Sequence, residues 1–207
     1  MIDKIDFKLR GEFNIDVIKD DEVIDNYHDN NLVVDGARAV LASLISGINS
    51  PIGINKLCLG EYGHDEDFDK FSPKKVGGTY SIGATSVTFD EQMASLFAQH
   101  YDLETLDCQF STIANTDVQQ VVPLNIAYGT VDEETNTSNA TVTCTCNSIV
   151  YQFEIEQGVG HGGGDSSILA YTEAGLYAGN VLFALKTFPA KVKDNATKFV
   201  ITWKIFT

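Results

Sequence analysis

Positive charge is scarce in this chain. Lysine and arginine number 14 against 29 aspartates and glutamates, a net charge of −15 over 207 residues. Arg10 and Arg38 are the only arginines. Binding a phosphate backbone needs clustered lysine and arginine, so the balance argues against a nucleic-acid partner. It favours solubility and discourages premature self-association. Tryptophan occurs once, as Trp203, few for a site that stacks sugars. No apolar run approaches the length that crosses a bilayer. Met1-Ile2-Asp3-Lys4-Ile5-Asp6 lacks the continuous apolar stretch of a signal peptide. The expectation is a protein made in a cytosol, soluble there, with no membrane partner. The sequons at Asn136, Asn139 and Asn195 then mark polar loops.

Motifs that carry chemistry are equally sparse. The four cysteines are Cys58, Cys108, Cys144 and Cys146. Cys144 and Cys146 share one face of a strand and read as small core residues. A zinc site would need a second close pair, which Cys58 and Cys108 do not supply. Asp65, Asp67 and Asp69 match the first positions of an EF-hand loop, but Lys70 stands where glycine is needed and Val76 where glutamate is needed. Gly158-Val159-Gly160-His161-Gly162-Gly163 fits a dinucleotide phrase, yet no parallel βαβ unit surrounds it. It reads as a flexible exposed loop. His28, His64, His100 and His161 lie in no catalytic motif, and neither G-x-S-x-G nor H-E-x-x-H occurs. No catalytic residue, metal ligand or cofactor is assigned. Glu173 is the carboxylate hardest to set aside. Its structural reading is a cap on local backbone N–H groups or a partner for Lys186 or Lys193.

What is present is alternation. Ile5, Phe7 and Leu9, then Phe13, Ile15 and Val17, mark two strands separated by Gly11. Asp20-Asp21-Glu22 is a polar turn, and a third strand starts at Val23-Ile24 and ends near Asn30-Asn31. Ala37, Val40, Leu41, Leu44 and Ile45 follow Asp35 at helical spacing, with Gly47 as a stop. They predict a helix with one apolar face lying on a sheet. Leu57 and Leu59 give a short strand. Residues 61–79 read as an exposed, partner-facing loop. Tyr80–Ile82 and Val87–Phe89 read as strand broken near Gly83. Asp90 could cap a second helix carrying Met93, Leu96, Phe97 and Tyr101. Residues 121–128 predict a strand in which Pro123 marks an edge or bulge. The apolar set changes parity between Val142–Cys146 and Ile149–Ile155, which requires a bulge or turn at Asn147-Ser148. Ala178-Gly179-Asn180 is a hairpin turn, and Pro189 ends the strand that follows. The fold class is mainly β: an antiparallel β-sandwich or barrel-like sheet pair with one or two short helices packed on it. One domain spans 1–207, with a possible subdivision near 61–79.

Glu173-Ala174-Gly175-Leu176-Tyr177, Leu182-Phe183-Ala184, Lys186, Phe188, Lys193 and Ile201-Thr202-Trp203-Lys204-Ile205 resemble the C-terminal end of small virion structural proteins of tailed bacteriophages. Asn31-Leu32-Val33-Val34-Asp35-Gly36-Ala37-Arg38, followed by Ile54 to Gly60, is similar to the N-terminal half of the same group. The resemblance covers about the first sixty and last forty residues. It implies a non-enzymatic subunit of a tail, neck or baseplate assembly, found in the virion and made in the host bacterial cytoplasm. Its partners would be other virion proteins and copies of itself in a symmetric ring. The interface or motif candidates are Glu173, Gly175, Leu176, Tyr177, Phe183, Lys186, Phe199 and Trp203. The alternative is a receptor- or carbohydrate-binding module of a fibre-associated adhesin. The strand Phe199–Phe206, apolar on much of both faces, is expected to be paired and covered, with a partner for the Trp203 indole N–H.

Overall fold

A computed structural model of the chain describes residues 9–46, 53–65, 72–82, 84–97, 99–105, 120–127, 139–144, 148–161 and 168–206; for 99–105, 120–127 and 139–144 it describes the backbone alone. Alternation in the sequence becomes strand almost throughout. β1 (Arg10–Lys19) and β2 (Glu22–Val33) form a hairpin. Asp20 and Asp21, both at positive φ (51° and 63°), make its turn. That pair of left-handed residues suits a two-residue hairpin, and aspartate tolerates it. α1 (Asp35–Ser46) and β3 (Lys56–Gly60) follow. β4 (Thr79–Ile82) and β5 (Thr85–Thr88) pair only with each other. β6 (Gln99–Thr105), β7 (Gln120–Ala127), β8 (Asn139–Cys144) and β9 (Ser148–Ile155) continue the chain. β10 (Leu169–Ala178) and β11 (Val181–Lys193) are a hairpin around Gly179-Asn180, and β12 (Lys198–Phe206) closes the set.

The main sheet runs β1-β12-β9-β8-β7-β6-β3-β10-β11-β2 and back to β1, a closed barrel. Every neighbouring pair is antiparallel. β9-β12-β1-β2-β11-β10-β3 form its curled seven-strand portion. Phe13 of β1 stacks on Phe188 of β11 with ring centroids 5.3 Å apart, and meets Trp203 edge-on at 4.9 Å. Phe13, Ile15, Val17, Phe153, Ile155, Phe199, Ile201, Trp203 and Ile205 face inward in register from β1, β9 and β12.

A second apolar cluster lies on the other face of β3, β10 and β11. There Cys58, Tyr177, Leu182 and Leu185 pack against Phe89, Met93, Leu96 and Phe97. Residues 72–82 and 84–97 therefore form an outer layer on the barrel. The segment 72–79, expected as an exposed loop, is partly pinned down: Lys74 is buried, and its carbonyl accepts the Thr187 hydroxyl at 2.7 Å.

Several expectations are corrected. β1 runs through Gly11, and the residue is glycine because the Asn31 side chain fills the place of a Cβ; Ile5 and Phe7, expected in a strand before it, lie outside the described residues. Pro189 does not end β11. It lies beyond the two residues, Ala184 and Leu185, at which β11 pairs with β2, so no ladder bond on that side needs its N–H. No helix forms after Asp90. The Leu96 and Phe97 N–H groups bond to side chains of β10 instead of helical carbonyls. In α1, Ala37 and Val40 are buried, but Leu44 is 42% and Ile45 87% exposed, so only the first half of the predicted stripe meets the barrel. Gly158–His161 is not an exposed loop throughout: Val159 is buried, and the Gly158 N–H bonds to the Asn195 carbonyl at 3.0 Å. Gly47, Asp67, Asp69, Lys70, Cys108, Cys146 and Gly162–Gly164 lie outside the described residues.

Candidate functional site

β10 carries the phrase Glu173-Ala174-Gly175-Leu176-Tyr177, and strand alternation divides its work. Ala174 and Leu176 enter the barrel core. Glu173, Gly175 and Tyr177 face the outer layer. The Glu173 carboxylate accepts the Phe97 N–H at 2.8 Å, and the Tyr177 hydroxyl accepts the Leu96 N–H at 3.2 Å. Between them a Cβ on Gly175 would sit 2.9 Å from Leu96 Cδ2. The three positions form a socket for Leu96-Phe97. Lys74 completes its wall, with its ammonium 4.4 Å from the Phe97 ring centroid. Glu173 thus caps backbone N–H, but from a residue distant in sequence. Lys186 bonds to Asp29 and Lys193 to the carbonyls of Asp194 and Thr197.

The other candidates are mostly internal. Leu176, Phe183, Phe199 and Trp203 are core residues of the barrel. β12 is paired on both edges, with β1 and β9. Its Phe199, Ile201, Trp203 and Ile205 are buried, while Val200 and Phe206 on the other face are half-buried. Among the described residues the Trp203 indole N–H has no hydrogen-bond partner; the Phe13 ring meets the indole edge-on. Of the eight, only Lys186 reaches an open part of the surface.

That part is the side of the barrel where β2 and β11 diverge. They pair at Leu32–Leu185 and Val33–Ala184 and no further. From there toward Glu22, β2 pairs with β1 alone among the described residues. Its inward positions, opposite Phe13, Ile15 and Val17, are Asp29, Tyr27 and Asp25. Lysines of β11 meet the two acids: Lys186 Nζ lies 2.6 Å from Asp29, and Lys191 Nζ lies 2.7 Å from Asp25. Inward-pointing charge on an edge strand is a known defence against stray pairing. Alternation shows apolar against polar, but not that two polar stretches distant in the chain will pair, so this arrangement is not visible in the sequence.

A groove of about 300 Å³ opens where the strands part, lined by Tyr27, Asp29, Asn30, Lys75, Val76 and Lys186 among others. Partial burial alone would raise the Asp29 carboxyl. The Lys186 hydrogen bond, the Asn30 N–H, the Lys186 charge and the Tyr27 hydroxyl outweigh it and hold Asp29 below its ordinary value. Burial, then the charge and hydrogen bond of Asp29, push the Tyr27 phenol up, so it remains a donor at neutral pH. The groove offers a paired cation and anion, a phenol and an apolar floor, which suit binding. Among the described residues no group of three or more histidine, cysteine, aspartate or glutamate side chains is placed to hold a metal ion, and no helix is long and apolar enough to cross a membrane.

Comparison with family models, curated proteins and solved structures gives no match to this chain.

Proposed function

We propose that the chain is a non-enzymatic structural subunit of a tailed-phage virion, part of a tail, neck or baseplate assembly. One observation carries the reading. The segments that resemble such proteins are separated in sequence but adjacent in space. Asn31–Arg38 joins β2 to α1, Ile54–Gly60 leads into and forms β3, Glu173–Phe188 forms most of the β10–β11 hairpin, and Ile201–Ile205 lies in β12. β3, β10, β11, β2, β1 and β12 are consecutive neighbours in the barrel. Much of the unmatched middle forms the outer layer and the strands β6 to β8. A resemblance due to chance phrases has no reason to assemble into one contiguous unit.

On this reading the mechanism is geometric: the barrel gives a rigid body, and its exposed edges and loops dock on symmetric neighbours. Quantitative mass spectrometry of purified particles from the virus that encodes the chain tests it. A fixed copy number per particle supports the reading; a chain present in the lysate but missing from particles overturns it.

A second reading, a receptor- or carbohydrate-binding module, is favoured by the groove beside Tyr27, Asp29 and Asn30. Binding of the isolated protein to a glycan array, lost in Asp29→Ala, would support that alternative.

A further inference from the structure

The groove where β2 and β11 part differs in charge from the chain as a whole. The chain carries −15, yet the charged residues lining the groove are Lys74, Lys75 and Lys186 against Asp29 alone. Lys74 turns its ammonium away, to the Tyr62 carbonyl and the Phe97 ring. Lys75 is exposed, and among the described residues nothing pairs with its ammonium. Lys186 keeps 13% of its side chain exposed and gives one of its three donors to Asp29. Asp29 is itself fully engaged. One of its oxygens accepts the Asn30 N–H at 2.7 Å, and the other accepts the Tyr27 hydroxyl at 3.1 Å and Lys186 at 2.6 Å. It therefore fixes Lys186 and has little left to offer a ligand. Asn30 adds an exposed side-chain amide to the rim. The groove thus holds out mostly donors, over an apolar lining of Leu32, Val76, Phe89 and Leu185.

We propose that this groove binds a compact acidic sugar, a hexuronate unit, with its carboxylate on Lys75 and Lys186. Free ammonium donors facing a groove select an anion, and bonds between two charged groups are the strong ones. The groove-facing lysines, Lys75 and Lys186, less Asp29 leave one net positive charge. A single carboxylate matches that charge, and a phosphate dianion exceeds it. The volume, about 300 Å³, sits at the small end for a ligand site. An extended acidic peptide would have to run on along β2, whose edge is covered at Asn26 by Lys191, 3.4 Å from the Asn26 carbonyl. A compact ligand has no such obstacle. A pyranose ring carries hydroxyls on its rim and C–H groups on its faces. The Asn30 amide both donates to and accepts from hydroxyls, and Leu32 and Val76 offer apolar cover to the C–H groups. The inference names a ligand for the binding-module reading of this groove, and it does not rest on the virion assignment.

Titration of the isotope-labelled full chain with glucuronate, followed by amide NMR shifts, tests the proposal. Saturable shifts at Asn30, Val76 and Lys186 are expected, with a dissociation constant of about 1 mM, the range a ligand of this size reaches. Glucose lacks the carboxylate and acetate lacks the ring, so each should bind at least about ten-fold more weakly. Lys75→Gln should weaken glucuronate by at least about ten-fold; the side chain is exposed, so the fold is kept. Lys204→Gln makes the same change of charge on β12, away from the groove, and should leave the affinity within about two-fold of wild type. No saturable shift up to about 20 mM glucuronate overturns the proposal. So does acetate or inorganic phosphate binding as tightly as glucuronate, or an equal effect of Lys75→Gln and Lys204→Gln. Glucose binding as tightly as glucuronate also overturns it, but leaves the binding-module reading standing.

Discussion

The Glu173 carboxylate on β10 receives the backbone N–H of Phe97, 2.8 Å away and 76 positions earlier in the chain. Both groups are buried. Without Glu173 the N–H has no solvent to turn to, and leaving such a donor unmade costs about 1–3 kcal/mol. Glu173→Ala should lower stability by that amount in urea titration. Glu173→Gln keeps an acceptor and should recover a good part of it. Equal losses in the two variants would show that the bond to Phe97 is not what Glu173 contributes.

The same pair shows what the sequence could and could not disclose. The strands were legible because alternation reports which face is buried, and β1, β9 and β12 follow it residue by residue. The sandwich-or-barrel class followed from their number and spacing. The Asp90–Phe97 segment misled because Met93, Leu96 and Phe97 have helical spacing and are all buried. Tertiary bonds from Glu173 and Tyr177 replaced the helix, and no local pattern announces them. The β2–β11 ion pairs were hidden for the same reason. Asp25 and Asp29 look like the solvent face of a strand, and only the long return of β11 brings Lys191 and Lys186 to them.

Helix α1 separates burial from periodicity. Leu41 is half-buried, Leu44 and Ile45 are exposed, and Val40 is buried. Ile45→Ser should change stability by no more than about 0.5 kcal/mol, as surface substitutions do. Val40→Ala should cost clearly more, because its side chain belongs to the barrel core. Thermal midpoints of the two variants test this. A large loss for Ile45→Ser would mean that this end of the helix is covered in solution.

Removing residues 199–207 should abolish cooperative folding. The deletion takes most of a strand bonded on both sides, between β1 and β9, and with it Phe199, Ile201, Trp203 and Ile205. β1 and β9 would then each expose an unpaired edge. Loss of the sharp thermal transition and of dispersed amide resonances is expected. A truncated chain that melts cooperatively would make β12 peripheral to the fold.

The Asp29–Lys186 pair should show itself at acid pH. The folded carboxyl lies below its ordinary value of 3.8, so the stability it adds is present above that value and disappears as pH falls through the folded one. The Asp29 side chain is 49% exposed, and solvent screening keeps the contribution under about 1 kcal/mol. The stability difference between wild type and Asp29→Asn should be constant from pH 7 to about 5 and shrink below about pH 4. A difference that stays flat into acid would show that Asp29 is not charged in the pair.

Lys193 should act at the other end of the scale, and with the opposite slope. Its ammonium is buried, donating to the carbonyls of Thr197 and Asp194, the second at 3.2 Å, with the Phe199 ring centroid 5.8 Å away. Burial drives its pKa down from 10.5 to about 8, although the charges of Asp194 and Glu156 pull upward. Below about pH 8 the folded and unfolded chains both hold the proton, and the cost of burying the charge is fully present. Between about 8 and 10.5 the unfolded chain holds more protons than the folded one, so this residue makes stability rise with pH. Lys193→Met removes the charge but leaves the Thr197 carbonyl without its donor, so the two effects oppose each other near neutrality. The slope is the decisive readout. Urea midpoints of wild type and Lys193→Met, measured from pH 7 to 10, should separate steadily above pH 8 in favour of wild type. Parallel curves would mean that Lys193 reaches solvent in the native state and titrates like a surface lysine.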